Sequence, residues 1–242
     1  MKKPQAPLPA PLETEDAAAV APADQDNHLW LKFWRDERTD FHQSAVNPLL
    51  SKFWSSLELV PASRVFVPLC GKSLDMIWLA QQGHEVIGVE LSPVAVADFF
   101  RENGLHPVLR QMGAFTLWSD GGLSILCGDY FALTKADLGQ FDTVYDRAAL
   151  TALPENIRAQ YVAQLRRLVP ETARVFLLTV EDAAEHATMQ QANGVDEEIK
   201  GLYSAGFEID LAYVESVYEC DPEAPELPAV RAEYKVYRLT VK

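Results

Sequence analysis

The chain alternates between short apolar runs and longer segments in which apolar residues recur every three or four positions. The short runs are typical of buried strands because they are bounded by glycine, proline and polar residues. Strands are predicted at residues 65–67, 84–90, 116–118, 123–127, 141–146 and 174–180.

The segments between these runs have the spacing of helices. Helices are predicted after Ser73, after Ser92 and from Asn156 to Leu168. Ser73 and Ser92 are suited to cap a helix start, and Gly83 is suited to end one. Because strands alternate with helices, the pattern indicates an α/β fold with a mainly parallel sheet and helices on both faces.

Both ends of the predicted domain depart from this alternation. Trp30, Phe33 and Trp34 share one helical face, and Asn47-Pro48 begins a second helix, so residues 27–58 are predicted to be helical and to precede the sheet. Near the other end, a helix at 195–205 is followed by two alternating runs. These runs, at 207–217 and 234–241, indicate an antiparallel pair that completes the sheet.

Composition separates a tail from a single domain. The chain has 242 residues, which suits one large domain. Residues 1–26 are rich in proline, alanine and acidic residues, and we expect them to be disordered because they offer little apolar surface to bury. Residues 27–242 are expected to form the domain, as a monomer.

Charge and cysteine content narrow the possible partners. The net charge of −14 lacks the clustered positive charge that nucleic acid binding needs, and it disfavours anionic membranes. A small-molecule substrate is expected. The three cysteines, Cys70, Cys127 and Cys220, have no metal-ligand spacing, so we expect reduced thiols, no metal and a cytoplasmic location.

The candidate chemistry lies where the first two predicted strands end. Gly71 follows the first strand, and a residue without a Cβ lets the backbone approach a ligand closely. Glu90 ends the second strand 19 positions later, where a carboxylate can accept hydrogen bonds from both ribose hydroxyls. Ligands of open α/β sheets bind beyond these carboxyl ends.

Two phosphate-binding interpretations fail on the glycine pattern. Gly71-Lys72-Ser73 resembles the end of a P-loop, but Phe66 stands where that motif needs its first glycine. A dinucleotide fingerprint needs three glycines, and only one is present. The pattern favours a nucleoside cofactor without phosphates, such as S-adenosylmethionine. The alternative is that Gly71 only forms a turn and Glu90 is solvated.

Several motifs, in order over roughly residues 27–180, resemble the thiopurine S-methyltransferase family. The resemblance implies a class I methyltransferase fold, a Rossmann-like, mainly parallel seven-stranded sheet with an antiparallel C-terminal hairpin. The motifs are Trp30-x-x-x-Trp34, Phe41-His42, Val46-Asn-Pro48, Val67-Pro-Leu-Cys-Gly-Lys-Ser-Leu-Asp75, Gly88-Val-Glu-Leu-Ser92, Cys127-Gly-Asp129 and Tyr145-Asp-Arg-Ala-Ala-Leu150.

The same resemblance implies a set of cofactor contacts beside Gly71. Trp34, from the N-terminal lid helices, would pack on S-adenosylmethionine, and Leu69 would contribute from the first loop. Glu90 would bind the ribose, and Asp129 would lie near the adenine. Arg147 would lie at the methionine end, next to the acceptor, and position an acceptor thiolate as the one candidate catalytic residue.

The identity of the methyl acceptor stays open at this level. The resemblance implies a thiol, or a selenium or tellurium species. A halide, amine, hydroxyl or thiocarboxylate acceptor, or a cofactor-binding protein without catalysis, are the alternatives. The resemblance weakens after Val180, where residues 183–194 are polar and lack the proline that the family has there, and Arg231 matches a family arginine poorly.

Overall fold

The computed structural model describes residues 22–38, 42–182, 194–219 and 230–242. Within these ranges one sheet is flanked by helices on both faces. The helices are α1 (Pro22–Arg35), α2 (Pro48–Phe53), α3 (Leu74–Gln81), α4 (Pro93–Glu102), α5 (Lys135–Leu138), α6 (Glu155–Leu168) and α7 (Glu197–Tyr203), with 3-10 turns at Trp54–Leu57 and Tyr130–Ala132.

None of the helices in these four ranges is both long and apolar enough to cross a bilayer. The strands are β1 (Arg64–Val67), β2 (Glu85–Glu90), β3 (Val108–Met112), β4 (Phe115–Asp120), β5 (Leu123–Cys127), β6 (Thr143–Arg147), β7 (Arg174–Asp182), β8 (Phe207–Glu219) and β9 (Val230–Val241).

The strands are ordered β3-β4-β5-β2-β1-β6-β7-β9-β8 in the sheet. The five central strands, from β5 to β7, are parallel, and β8 and β9 form the predicted antiparallel pair. The α/β class is confirmed. The described sheet has nine strands instead of seven because the antiparallel hairpin β3–β4 extends the edge beyond β5.

Polar caps begin the helices that flank the site, as the sequence predicts. The Asn47 side chain accepts hydrogen bonds from the backbone N–H groups of Leu49 and Leu50. Ser73 accepts a hydrogen bond from Asp75 N at 3.3 Å, and Ser92 accepts one from Ala95 N at the start of α4. Each cap contributes about 1 kcal/mol and places the first turn of its helix next to a strand end.

The core consists of two apolar clusters on opposite faces of the sheet. Val65 belongs to one cluster and Phe66 to the other, since successive side chains of a strand point to opposite faces. Tyr161 is a core residue, and its hydroxyl donates to Asp146 Oδ2 at 2.6 Å. Burial raises the pKa of Asp146 to about 6, against the effect of hydrogen bonds from Tyr161 and from the Ala149 backbone.

The described structure begins earlier than the sequence indicates. Helix α1 starts at Pro22, five residues before the expected start of the domain at residue 27. The first 21 residues of the predicted tail lie outside the described residues, as do 183–193 and 220–229 in the two segments where the family resemblance is weakest.

Candidate active site

A cavity of about 430 Å³ opens at the carboxyl edge of four adjacent parallel strands, β5, β2, β1 and β6. The strand order reverses direction between β1 and β6, which is where ligands of such sheets bind. The structure brings all six residues predicted for the site to this cavity: Trp34, Leu69, Gly71, Glu90, Asp129 and Arg147.

The turn after β1 forms the floor of the cavity. Leu69 and Gly71 have positive φ angles, +45° and +52°, which is unusual for a leucine and ordinary for glycine. The N–H of Cys70 donates to the Val89 carbonyl at 2.9 Å and holds the turn against β2. A Cβ added at Gly71 would lie 3.1 Å from Cζ2 of Trp34, so the glycine allows the indole to pack on the turn.

Glu90 lies at the end of β2 and is buried, with 6% of its surface exposed. One carboxylate oxygen accepts from Gly71 N at 3.0 Å, and the other accepts from Ser92 N at 2.8 Å. Burial raises the pKa of Glu90 to about 7, although these backbone donors favour its charged form. The alternative of a solvated Glu90 is therefore wrong.

Arg147 ends β6, and its ion-pair partner is not one of the acids nearest to it in sequence. Asp146 and Asp142 are the acids nearest in sequence, but Asp146 bonds Tyr161 and Asp142 accepts from the backbone N–H of Arg64 at 2.7 Å. Nη1 of Arg147 instead lies 3.9 Å from Oδ2 of Asp75. The guanidinium is thereby held at the cavity by α3.

Asp75 is the residue of this site that sequence reasoning missed. Its buried carboxylate accepts from Asn47 N at 2.7 Å and from the Tyr145 hydroxyl at 2.7 Å, besides its contact with Arg147. It thus joins the start of α2 to α3 and β6. The available signal was a lone acid in the first turn of α3, which is followed by apolar residues up to Gln81.

Asp129 and Lys72 are further polar residues of the cavity lining. Asp129 follows β5, is half-buried, and accepts from Phe131 N at 2.9 Å, which caps the 3-10 turn after it. Lys72 forms an ion pair with Glu102 at 2.9 Å. Leu69 is half-buried beside them and adds apolar surface.

The family model described as thiopurine S-methyltransferase matches residues 25–242, nearly the whole chain. The chain belongs to the thiopurine S-methyltransferase family. It is therefore a methyltransferase that uses S-adenosylmethionine. The match continues past residue 180, where the sequence motifs of the family become weak. A thiopurine S-methyltransferase of Stutzerimonas stutzeri is 65% identical over 221 residues, which are 90% of this chain and 92% of that protein.

Solved structures support the class I methyltransferase fold. An S-adenosylmethionine-dependent methyltransferase of Anabaena variabilis has a TM-score of 0.59 at 14% identity, covering 89% of this chain and 95% of its own. A 1,6-didemethyltoxoflavin N1-methyltransferase of Burkholderia thailandensis, solved with its substrate and S-adenosylhomocysteine, has a TM-score of 0.57 at 18% identity, covering 97% and 94%.

Burial disfavours the thiolate form of the two described cysteines of this methyltransferase. Burial, followed by the nearby Glu90 carboxylate, raises the pKa of the Cys70 thiol well above its ordinary value. The same causes raise the pKa of Cys127 to about 11. These shifts favour the protonated thiols near neutral pH. Cys70 is buried, whereas Cys127 is half-buried. Cys220 lies outside the described residues.

Proposed function

We propose that this methyltransferase transfers the methyl group of S-adenosylmethionine to the sulfur of a small thiol, with selenium or tellurium compounds as related acceptors. The observation that carries the proposal is the meeting of a buried carboxylate, Glu90, and a held guanidinium, Arg147, on one cavity at the strand ends. The first suits a nucleoside, and the second suits an anionic acceptor.

We further propose which residues hold the cofactor. Each oxygen of Glu90 already accepts one backbone hydrogen bond and keeps a further lone pair for a ribose hydroxyl. Trp34 packs on the cofactor from the N-terminal lid, and Leu69 adds an apolar contact. Asp129 lies on the adenine side. Arg147 lies at the methionine end, where the acceptor also binds.

The structure of the β1 turn supports a ligand without phosphates. A pyrophosphate site needs several glycines that leave backbone N–H groups free to donate. Here Gly71 is the lone glycine of the turn, and its N–H already donates to Glu90. The Cys70 N–H donates to Val89. Both donors are therefore committed within the protein, and a buried carboxylate beside them would repel a phosphate.

S-adenosylmethionine supplies an electrophilic methyl group on a positively charged sulfur. The protein then needs to align the acceptor with that carbon and to exclude water, because the reaction is an in-line displacement. A thiol near neutral pH is already partly ionised. The positive charge of Arg147 favours the thiolate form, and Asp75 fixes the guanidinium from behind at 3.9 Å.

A panel of acceptors tests the proposal. The purified protein is given S-adenosylmethionine with an isotopically labelled methyl group and one acceptor at a time: a thiol, a thiocarboxylate, selenite, iodide, an amine or an alcohol. We expect transfer to the thiol to exceed transfer to the amine and the alcohol by at least about a hundredfold, since these are protonated or weak nucleophiles near pH 7.

Arg147→Lys is the companion variant, because it keeps the charge and loses the planar fork. We expect it to lower thiol methylation. If iodide, the amine or the alcohol is methylated faster than the thiol, that compound represents the acceptor class instead. Tight cofactor binding without transfer to any acceptor would contradict the proposal. The monomeric state and the cytoplasmic location remain predictions.

A further inference from the structure

His42 lies in the connection between α1 and α2 and lines the same cavity as Arg147. Its ring is half-buried, and within the described part of the chain it forms no hydrogen bond. The proposed function uses Arg147 to favour a thiolate but names no group that receives the thiol proton. A histidine on the cavity wall is chemically suited to that task.

Burial favours the neutral ring of His42, and three charged groups face it. They are Lys72 of the β1 turn, Arg147 at the end of β6, and Glu102 of α4. Burial lowers the pKa of His42 below 6.5, and Lys72 and Arg147 lower it further, against the opposite effect of Glu102. Glu102 already lies 2.9 Å from Lys72. A neutral imidazole has a lone pair that can accept a proton at pH 7.

The carboxylates on or behind this wall already have other partners. Both oxygens of Glu90 accept backbone hydrogen bonds, and Asp129 caps a 3-10 turn. Asp75 is surrounded by Asn47, Tyr145 and Arg147 behind the cavity. Among the described residues that line the cavity, His42 is the histidine, and its ring nitrogens have no hydrogen-bond partner there.

We propose that His42 is a catalytic base that takes the proton of the acceptor thiol, an inference that rests on the proposed function. The proton moves from the thiol sulfur to a ring nitrogen of His42. The electron pair of the broken S–H bond stays on that sulfur and forms the new bond to the methyl carbon. The carbon–sulfur bond of the donor breaks with its pair on the departing sulfur, which becomes neutral. His42 later releases the proton to water.

Two thiols of different acidity test this role. One is an alkyl thiol, with a pKa of about 8.5, and the other is an aromatic thiol that is already ionised at pH 7. We expect His42→Gln to lower kcat with the alkyl thiol at pH 7 by up to about thirtyfold, because about 3% of such a thiol is ionised at pH 7 without a base, and to leave the aromatic thiol nearly unaffected. His106→Gln, at an exposed position before β3, is the matched control and should change neither rate.

The pH profile adds a second readout. With the alkyl thiol, the wild-type kcat/KM should level off above the pKa of His42, whereas the variant should keep rising until the thiol itself ionises. Equal slowing of both thiols by His42→Gln, or no slowing of either, would overturn the role of His42 and leave the proposed function intact. Failure of the wild type to methylate either thiol would overturn the proposed function and this inference with it.

Two further measurements test whether the variant is folded and whether His42 is neutral in the wild-type protein. S-adenosylhomocysteine should bind His42→Gln with wild-type affinity in calorimetry. In the wild-type protein, the His42 ring signal in an NMR titration, assigned by its loss in the variant, should report a pKa below 6.5. A ring that is still protonated above pH 7 would contradict the proposal whatever the variant does.

Discussion

Replacing Glu90 by alanine is expected to weaken the binding of S-adenosylhomocysteine by about tenfold to a hundredfold. The variant removes the carboxylate that we propose accepts hydrogen bonds from the ribose hydroxyls, and a hydrogen bond to a charged group contributes about 1.5–3 kcal/mol. Isothermal titration calorimetry measures the change. Glu85→Ala is the matched control, since Glu85 is an exposed glutamate at the start of the same strand, β2, and its loss should leave the affinity unchanged.

The raised pKa of the Glu90 carboxyl group predicts how both stability and ligand binding depend on pH. Burial raises its pKa from 4.5 to about 7, so in the free protein it keeps its proton up to about pH 7, whereas in the unfolded chain it ionises near 4.5. The folded state binds more protons between these values, and its contribution to stability therefore decreases as the pH rises from about 4.5 to 7.

The affinity for the ligand should increase with pH, whereas the stability contribution of Glu90 decreases. Hydroxyl donors favour the ionised carboxylate, so the affinity for S-adenosylhomocysteine should increase between about pH 6 and pH 8 and then level off. Glu90→Gln should abolish this slope because the amide does not titrate. A wild-type affinity that is flat across this range, or one that falls, would mean that Glu90 does not hold the ribose.

Replacing Asp75 by alanine should lower the free energy of unfolding by about 3 kcal/mol. The change leaves the Tyr145 hydroxyl and the Asn47 N–H without their acceptor, and each unsatisfied buried group costs about 1–3 kcal/mol. It also removes the counter-charge of Arg147. Urea denaturation measures the loss, provided that the m-value stays constant.

Asp98→Ala is the control for a partly exposed aspartate outside the Asp75 network. Asp98 pairs with an exposed Arg101 one turn along α4, and its removal should cost less than about 0.5 kcal/mol. Asp75→Asn keeps the shape and one acceptor oxygen, so it should retain more stability than Asp75→Ala. Equal stability of the Asp75→Ala and Asp98→Ala variants would show that the Asp75 network does not stabilise the fold.

Much of the fold was predictable from local pattern. The parallel strands are continuous apolar runs, and the caps at Asn47, Ser73 and Ser92 stand at helix starts. Strand β3 was not predicted, because its residues, Val108–Met112, are mostly exposed on the edge of the sheet and do not alternate in polarity. Edge strands of this kind lack the burial that produces a sequence signal.

The candidate site was predictable from the sequence only in part. The positions of Gly71, Glu90 and Arg147 follow from strand ends, which the sequence indicates. The partner of Arg147 does not follow, because Asp146 is its sequence neighbour and yet points to the opposite face of the sheet. Asp75 meets Asn47 and Tyr145 across 28 and 70 positions of sequence. Contacts at such separations depend on the tertiary structure.

The burial of Glu90 is the second property that the sequence could not indicate. A glutamate at a strand end is consistent with either a solvated or an enclosed carboxylate. The turn that encloses it depends on the positive φ of Leu69 and on the packing of Trp34 over Gly71. Neither feature has a local sequence pattern, and together they place an acid with a raised pKa at the cavity.

The central claim is that the cavity at the carboxyl ends of β2 and β6 holds the methyl donor. A crystal structure of the wild-type protein with S-adenosylhomocysteine tests it most directly. We predict that both ribose hydroxyls lie within hydrogen-bond distance of the Glu90 carboxylate, about 2.5–3.0 Å, with the homocysteine sulfur on the side of Arg147. A ribose that lies away from Glu90, or a ligand bound outside this cavity, would contradict the account.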